Sequence, residues 1–332
     1  MTSIVIFNNK GGVGKTTLLC NIAAYLRIVL NKKVLVVDTD PQCNATAYML
    51  PYSKLDEIYL QGEKTIYDII KPLQRGRGFS QGEIPVVTSP RFKVDLVVGD
   101  PQLSLCEDFL SKDWLDGKSG DFRGLQTTLL FKDLLKRVKH YDYVLFDVGP
   151  SLGALNRSVL AASDYFVVPM SSDIFSLQAL ENISKSLSEW SSQLSRGLVD
   201  YQDKEGEPFK IRDEDVTWHL KFAGYVTQQY TAKTINGKKQ PVSAYEKIIR
   251  KVPLTIKKHL LSINSKSIPY PQLGEITNLH SLVPLSQNSS APIFDLQAED
   301  GVVGAHFNKV KDYKNTLKEI VSNLTENLNQ FR

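Results

Sequence analysis

The sequence predicts an α/β fold, a mainly parallel, doubly wound sheet with helices on both of its faces. Short apolar runs rich in β-branched residues, at 4–7, 34–38 and 143–147, are typical of buried parallel strands. Residues 16–31 carry apolar side chains at helical spacing directly after the first run, so that strand and helix alternate. Such connections are right-handed crossovers, which bring the carboxyl ends of the strands to one edge of the sheet. Ligands of open α/β sheets bind at that edge.

The composition is typical of a globular enzyme of the cytoplasm. With 332 residues, of which 42% are hydrophobic and 23% charged, the chain can bury the core of one large domain, 1–332. No apolar stretch approaches the roughly 18 residues of a membrane helix. Three cysteines and five histidines are scattered along the chain, which argues against a disulfide framework, a zinc site and an iron–sulfur site. The net charge of +4 permits nucleic-acid binding without requiring it.

A glycine-rich segment between the first strand and its helix is the most informative part of the chain. It reads Lys10-Gly11-Gly12-Val13-Gly14-Lys15-Thr16-Thr17. Backbone N–H groups and a helix N-terminus that converge on one point bind an anion such as a triphosphate. In such a loop Lys15 contacts the β- and γ-phosphates and the Thr16 hydroxyl is a ligand of Mg²⁺. The common pattern has glycine at position 9, where this chain has Asn9 followed by Lys10, a second cation that could stabilise phosphate charge in its own subunit or across a dimer.

Three carboxylates follow buried strands. Asp38 and Asp147 each end an apolar run, so both are expected at the nucleotide-binding edge as residues of the metal site. Asp147 would hold Mg²⁺ through water. Asp40 lies two residues further out and is better placed to orient the attacking water.

Three separate segments resemble the deviant Walker A ATPases of the ParA/MinD family. Residues 10–17 match its phosphate-loop signature, including the signature lysine at Lys10. Residues 34–46 look like the second strand and first switch, and 141–153 resemble the Walker B strand and second switch. The resemblance covers about two-thirds of the chain, and its Asp-Pro-Gln segment favours the partitioning branch.

The chain also departs from the family pattern. Cys43 stands where glycine is usual, Val148 and Gly149 replace part of the usual Asp-Thr-Pro-Pro switch, and Asn156 and Ser158 differ from the Thr and Asn that often follow. The stretches 192–220 and 233–282 exceed a minimal member, so we expect them to be enlarged carboxyl-terminal insertions.

The resemblance implies a P-loop NTPase fold and an ATPase that uses ATP and Mg²⁺, with slow turnover unless a ParB-like or other protein partner activates it. It implies an ATP-dependent homodimer that binds DNA without sequence preference and so segregates or positions a cargo, in the cytoplasm, with nucleoid association left open. Lys10 and Asp40 take the catalytic roles, and Pro284, in a predicted last strand at 282–286, borders the adenine. The cofactor-binding residues are Lys10, Gly11, Gly12, Val13, Gly14, Lys15, Thr16, Thr17 and Pro284, and the metal residues are Thr16, Asp38 and Asp147. The candidate DNA contacts are Lys238, Lys239, Arg250, Lys251, Lys257 and Lys258.

Three alternatives stay open at this level. A regulatory or defence-module ATPase would act on a protein partner, and a metabolic ligase or kinase would turn over a small acceptor. A MinD-like ATPase would hold membrane through a terminal amphipathic helix; here 313–331 has such a face, but acidic and amide residues dilute its lysines, which favours packing on the core. Two local predictions complete the set, a short helix at 65–71 ended by Pro72 and a helix from 175 to about 194.

Overall fold

The computed structural model describes the chain except for residues 172, 231, 236–237, 242–249, 278, 280 and 332. For residues 174, 229–230, 232–235 and 238–241 it describes the backbone alone.

A sheet of eight described strands forms the centre of the molecule. Its spatial order is β12-β9-β6-β1-β5-β2-β4-β3, and β3 is antiparallel to β4 while the other neighbours pair in parallel. Two small hairpins, β7–β8 and β10–β11, lie outside it. The strands are β1 Thr2–Ile6, β2 Val34–Asp38, β3 Val87–Thr88, β4 Asp95–Val97, β5 Tyr143–Asp147, β6 Tyr165–Ser171, β7 Lys210–Ile211, β8 Glu214–Asp215, β9 Lys221–Tyr230, β10 Ala232–Ile235, β11 Lys238–Pro241 and β12 Gln272–Thr277.

Helices cover both faces of this sheet. They are α1 Lys15–Ile28, α2 Asn44–Met49, α3 Tyr52–Gln61, α4 Ile66–Gln74, α5 Glu107–Gly117, α6 Phe122–Thr128, α7 Leu130–Arg137, α8 Ala154–Ala162, α9 Ile174–Glu205, α10 Val252–His259, α11 Leu282–Asn288 and α12 His306–Asn329. Ile4 and Ile6 pack on one side with α1, α2, α3, α11 and α12, whereas Val5 and Phe7 pack on the other with α4 to α10. Alternate residues of a strand point to opposite faces, so each strand of the centre is buried on both. The predicted fold class is confirmed.

The prediction that Pro72 ends a helix was wrong. Thr65 and Asp68 form a capping box at the start of α4, and the helix runs through Pro72 to Gln74. Proline lacks the N–H that would bond to the carbonyl of Asp68, which removes one bond near the end of a short helix. Leu73, beyond the proline, is buried with Ile66 and Ile70, and its burial favours the extra turn.

The predicted strand at 282–286 was also wrong, since these residues begin α11. Pro284 lies in the first turn, where a backbone N–H has no partner within the helix. The last strand is β12, which lies inside the stretch taken as an insertion, 233–282. A short apolar run does not distinguish a strand from a buried helical turn.

The long carboxyl-terminal helix packs against the core, as expected. Leu317, Ile320, Val321, Leu324 and Leu328 are all buried against the sheet and α1. The predicted helix from 175 is α9, which continues to Glu205 and takes up half of the 192–220 stretch. The described helices include none that is long and apolar enough to span a membrane.

Candidate functional site

The glycine-rich segment forms a loop at the carboxyl edge of the sheet, between β1 and α1. Gly12 and Gly14 both have φ of 72°, a left-handed conformation that favours glycine, and Gly14 caps α1. The carboxamide of Gln228 also occupies the space that a Cβ on Gly14 would need. The chain therefore enters α1 tightly, with the helix N-terminus directed at the loop, as an anion site requires.

Lys15 lies at the start of α1 and is 8% exposed. Its Nζ donates to the carbonyl oxygen of Lys10 at 3.2 Å, so the ammonium stays over the loop. Burial lowers the pKa of Lys15, and the carboxylates of Asp147 and Asp40 oppose this shift. The loop thus holds a cation where phosphates would approach.

Thr16 and Asp147 meet at the same edge, as predicted for two residues of a Mg²⁺ site. The Thr16 hydroxyl donates to Asp147 Oδ2 at 2.8 Å. Asp147 Oδ1 is buried and has no hydrogen-bond partner among the described residues. Burial and the neighbouring Asp38 raise the pKa of Asp147 well above its ordinary value. A buried carboxylate oxygen with a spare lone pair beside a hydroxyl fits a hard divalent cation.

Asp38 is arranged differently from Asp147, although the two are paired in register on β2 and β5. Its Oδ2 accepts hydrogen bonds from the backbone N–H of Thr46 at 2.8 Å and from the Thr46 hydroxyl at 2.7 Å. Its Oδ1 accepts from the backbone N–H of Asp40 at 3.2 Å. Burial raises the pKa of Asp38 to about 6, against these hydrogen bonds. Both oxygens therefore accept hydrogen bonds inside the fold, and the role of Asp38 in the metal site stays a prediction.

Asp40 stands in the loop after β2, and the second switch approaches it. Its Oδ1 accepts from the backbone N–H of Gln42 at 3.0 Å. A Cβ on Gly149 would lie 3.3 Å from the same oxygen, so glycine lets the two switches come close. Asn156 steadies this second switch, because its Nδ2 donates to the carbonyls of Gly149 and Ser151, each at 2.8 Å. The departures at Gly149 and Asn156 are therefore structurally linked.

Lys10 is bound within its own subunit. Its Nζ donates to Ser171 Oγ at 3.0 Å and forms an ion pair with Asp173, which also caps α9 by accepting from the backbone N–H of Ser176. Burial acts to raise the pKa of Asp173, but the hydrogen bonds that its carboxylate accepts from Lys10 and Ser171 lower this pKa below its ordinary value. The signature lysine thus lies at the end of β6, beside the phosphate loop.

Pro284 lines a cavity of about 270 Å³ beside the phosphate loop. Gly14, Thr17 and Gln228 form one part of its wall, and Ile276 and Val283 form another. The role proposed for Pro284 stays a prediction, but the residue lies where a group attached to the phosphates would extend, although its helical conformation was not foreseen.

The candidate DNA contacts fall into two groups. Lys238 and Lys239 lie on β11, and their side chains are outside the described part of the structure. The sequence also predicts a turn at 236–239 and a helix from 247 toward 258. Residues 236–237 and 242–249 lie outside the described part of the structure, so these two predictions are only partly covered by it. Arg250, Lys251, Lys257 and Lys258 are exposed, around and on α10, which packs against α9.

Several residues that shape the site carry no motif. Asp173 acts through a contact with Lys10, 163 residues away in the sequence, and Thr46 acts through hydrogen bonds to Asp38, eight residues before it; neither contact follows from spacing. Asn156 could be noticed only as a departure from the family pattern. The sequence also predicts a strand at 222–227, and the position of Gln228 directly after it is the one signal that could have drawn attention to this residue.

Comparison with known proteins places this site in a family. The sequence model of a family described as an AAA domain matches residues 1–199. The virulence plasmid ParA family protein pGP5-D of Chlamydia psittaci is 28% identical over 291 residues, 87% of this chain and 95% of that protein. Soj of Bacillus subtilis, a sporulation initiation inhibitor protein, is 31% identical over 198 residues, 59% of this chain and 68% of Soj. The chain belongs to the ParA/MinD family. The resemblance drawn from the three sequence segments is thereby confirmed.

Solved structures show the same fold as this ParA/MinD-family chain. Protein DIP2308 from Corynebacterium diphtheriae superposes with a TM-score of 0.75 at 28% identity, over 100% of both chains. A putative plasmid partition protein from Borrelia burgdorferi bound to AMPPNP has a TM-score of 0.58 at 19% identity, over 98% of both chains. At that identity the second likeness concerns the fold alone.

Proposed function

We propose that this chain is an ATP-dependent, dimerising ATPase of ParA type that segregates or positions DNA or another cargo through ATP-controlled, nonspecific DNA binding. The observation that carries the proposal is the meeting of Lys10, Lys15, Thr16 and Asp147 at one edge of the sheet. Two relatives, the virulence plasmid ParA family protein pGP5-D and a chromosome-partitioning ATPase Soj of Thermus thermophilus, support this function over that of a metabolic ligase or kinase. The buried apolar face of α12 removes the sequence basis for a membrane anchor.

In this proposal the residues of the chain divide the work. The loop 10–17 binds the triphosphate, with Lys15 on the β- and γ-phosphates. Thr16 and Asp147 hold Mg²⁺, which when bound neutralises phosphate charge. Asp40 orients the water that attacks the γ-phosphate, and Asp38 positions the first switch through Thr46.

The position of Lys10 allows this residue to couple ATP binding to dimerisation. Its ammonium is held by Asp173 and Ser171 at the rim of the site and is partly exposed, so that it can exchange this partner for phosphate oxygens. We place that exchange in the ATP-bound dimer, where Lys10 reaches phosphates across the interface. An ATP-bound dimer then binds DNA through exposed cations such as Lys257 and Lys258, and hydrolysis, accelerated by a ParB-like or other partner, releases it.

Size-exclusion chromatography of the full chain without nucleotide, with ATP and Mg²⁺, and with added random duplex DNA tests this function. We expect a monomer without nucleotide, a dimer with ATP and Mg²⁺, and a dimer bound to DNA when DNA is also added. Phosphate release should be slow in both samples that contain ATP. Lys15→Ala, which removes the main phosphate-binding cation, should stay monomeric throughout. A wild-type chain that stays monomeric at saturating ATP would contradict the proposal. An ATP-bound dimer that ignores DNA but co-elutes with a protein partner would favour a regulatory function.

A further inference from the structure

The helix that follows the second switch, α8, is capped by a side chain from another helix. Its own N-cap residue, Gly153, has no side chain that could accept a hydrogen bond from the backbone N–H groups of the first turn. Glu107, at the start of α5, takes this role. Its Oε2 accepts from the backbone N–H of Ala154 at 2.7 Å, and its Oε1 accepts from the backbone N–H of Leu155 at 3.4 Å. A carboxylate at a helix N-terminus also interacts favourably with the helix dipole.

Gly153 leaves the space that this carboxylate occupies. A Cβ on Gly153 would lie 2.6 Å from Glu107 Oε1, which is closer than two such atoms can approach. The φ of Gly153 is −75°, which any residue adopts, so the backbone conformation alone does not require glycine here. The close approach of Glu107 is therefore the structural reason for glycine at this position.

The second switch, 148–153, depends on α8 for its position. It contains Gly149 and ends in Gly153, and glycine is the residue with the greatest backbone freedom. Gly149 is also the point at which the switch approaches Asp40. Asn156 of α8 donates to the carbonyl oxygens of the switch, so the switch follows the N-terminus of α8 wherever that end lies.

The body of α8 is attached to the core without Glu107. The guanidinium of Arg157 lies over the ring of Trp114 on α5, 4.2 Å from the ring centroid, which is a favourable cation–π distance. Leu155 and Val159 are buried in the same core. A change at Glu107 should therefore loosen the N-terminus of α8 and the second switch while the rest of the helix stays in place.

We infer that Glu107 is a positioning residue for ATP hydrolysis. It fixes the N-terminus of α8 and, through the second switch, the approach of Gly149 to Asp40. This rests on the proposed ATPase function and on the role of Asp40 in it. Because the carboxylate is directed at α8, its effect falls on the hydrolytic step and not on ATP binding.

Glu107→Gln keeps the length of the side chain and one acceptor oxygen, but removes the charge and places an amide donor toward a backbone donor. Single-turnover phosphate release by the full chain should fall about three- to thirtyfold, which is the loss of a helix cap converted to a rate. Affinity for ATP, measured by calorimetry, should not change. Gly153→Ala displaces the carboxylate from the other side and should slow release as well. Asp108→Asn, an exposed neighbour in the same turn of α5, is the matched control and should leave the rate unchanged.

Combination with Asp40→Ala distinguishes positioning from a general loss of structure. If Glu107 acts through Asp40, then Asp40→Ala and the double variant with Glu107→Gln should release phosphate at the same residual rate. The same fold-loss in both backgrounds, a loss of ATP affinity in Glu107→Gln, or a release rate equal to that of Asp108→Asn would overturn this inference and leave the ATPase function intact. A wild type that releases phosphate no faster than Lys15→Ala would overturn the proposed function itself.

Discussion

At the scale of single residues, Lys10 and Asp173 form the contact that is expected to change most between monomer and dimer. Their side chains are each 29% exposed, and partly exposed ion pairs contribute about 0.5–1 kcal/mol. If Asp173 competes with phosphate for Lys10, Asp173→Asn should lower the ATP concentration for half-dimerisation about two- to fivefold, since asparagine can still cap α9. Light scattering during an ATP titration measures this shift.

Lys10→Ala is the companion variant, and it should bind ATP as a monomer yet fail to dimerise or hydrolyse. A dimer of normal stability in Lys10→Ala would show that the lysine has no role across the interface. In that case an effect of Asp173→Asn would have to come from α9 itself.

Asp40 provides the second test at this scale. It stands between the two switches, and its Oδ1 lies 3.3 Å from where a Cβ on Gly149 would be. Among the described residues its carboxylate accepts hydrogen bonds from the backbone N–H of Gln42 at 3.0 Å and from Nδ2 of Asn44, at the start of α2, at 3.5 Å. Asp40→Ala should bind ATP and accumulate as a dimer, with phosphate release reduced by two to four orders of magnitude, as for the loss of a general base. Single-turnover release of phosphate measures the loss. The exposed Asp203→Ala on α9 serves as the control, and a release rate equal to that of the control would exclude Asp40 from the reaction.

The positions of these residues could be predicted because each stands at the end of a strand or inside a signature. Lys15, Thr16 and Asp147 come together as expected, since parallel strands deliver their carboxyl ends to one edge. Asp38 shows the limit of that reasoning. The predicted position of Asp38 at the end of a strand was correct. Thr46, eight residues later on α2, donates two hydrogen bonds to Oδ2 of Asp38, and such hydrogen bonds leave no periodic signal in the sequence.

At the scale of secondary-structure elements, tertiary packing overrode local signals. The sequence predicts that Pro72 ends a helix and that Pro284 lies in a strand, yet both lie in helices, one near a C-terminus and one in a first turn. In each case the cost of proline is small at that position, and neighbouring apolar residues gain more by burial. The hairpin β7–β8 had no alternating apolar pattern that would predict it, and for β10–β11 the sequence predicted only a turn, at 236–239, and not the strands.

Asp164 connects three elements of the fold, and its contacts predict how the stability of the chain depends on pH. Its carboxylate accepts from the backbone N–H and hydroxyl of Ser3 on β1, at 2.8 Å and 2.7 Å, and is paired with His219, just before β9, at 2.9 Å. Burial acts to raise the pKa of Asp164, but the hydrogen bonds from His219 and Ser3 outweigh it and lower this pKa to about 2.

A carboxylate with a depressed pKa stabilises the folded chain above its unfolded pKa and loses that effect as pH falls through the folded value. The contribution of about 1–2 kcal/mol should therefore be complete at pH 7 and disappear between pH 4 and pH 2. Urea unfolding should show Asp164→Asn less stable than the wild type at pH 7, with the difference shrinking across that window. The exposed Asp142→Asn, whose carboxylate accepts one bond from the backbone N–H of Lys33, offers a comparison at the same end of the sheet. A gap between Asp164→Asn and wild type that stays constant down to pH 2 would show that its cause is not the ionised carboxylate.

At the scale of the whole molecule, the question is whether a chain with a net charge of +4 concentrates enough cations on one surface to hold DNA. Lys251, Lys257 and Lys258 are exposed on or beside α10 and make no ion pair among the described residues. α10 packs on α9, whose N-cap residue, Asp173, is the partner of Lys10. A dimer formed around Lys10 would thus carry two copies of this basic surface in a fixed relation, so DNA affinity would depend on ATP.

Charge reversal tests this coupling in the intact chain. Lys257→Glu with Lys258→Glu should leave ATP hydrolysis and dimerisation unchanged, weaken binding to random duplex DNA, and flatten the dependence of log affinity on log salt by about 0.9 for each lost phosphate contact. The matched control is Lys32→Glu with Lys33→Glu, an adjacent exposed pair between α1 and β2, at the opposite edge of the sheet.

This control makes the same change in net charge as the reversal at Lys257 and Lys258. A general loss of attraction to DNA would therefore weaken binding in both variants, whereas the loss of a local contact would weaken it only in the variant of α10. Fluorescence anisotropy at several salt concentrations, with and without ATP, measures the slopes. Equal slopes for the two variants would remove α10 from the DNA interface and leave β11, with Lys238 and Lys239, as the remaining predicted contact.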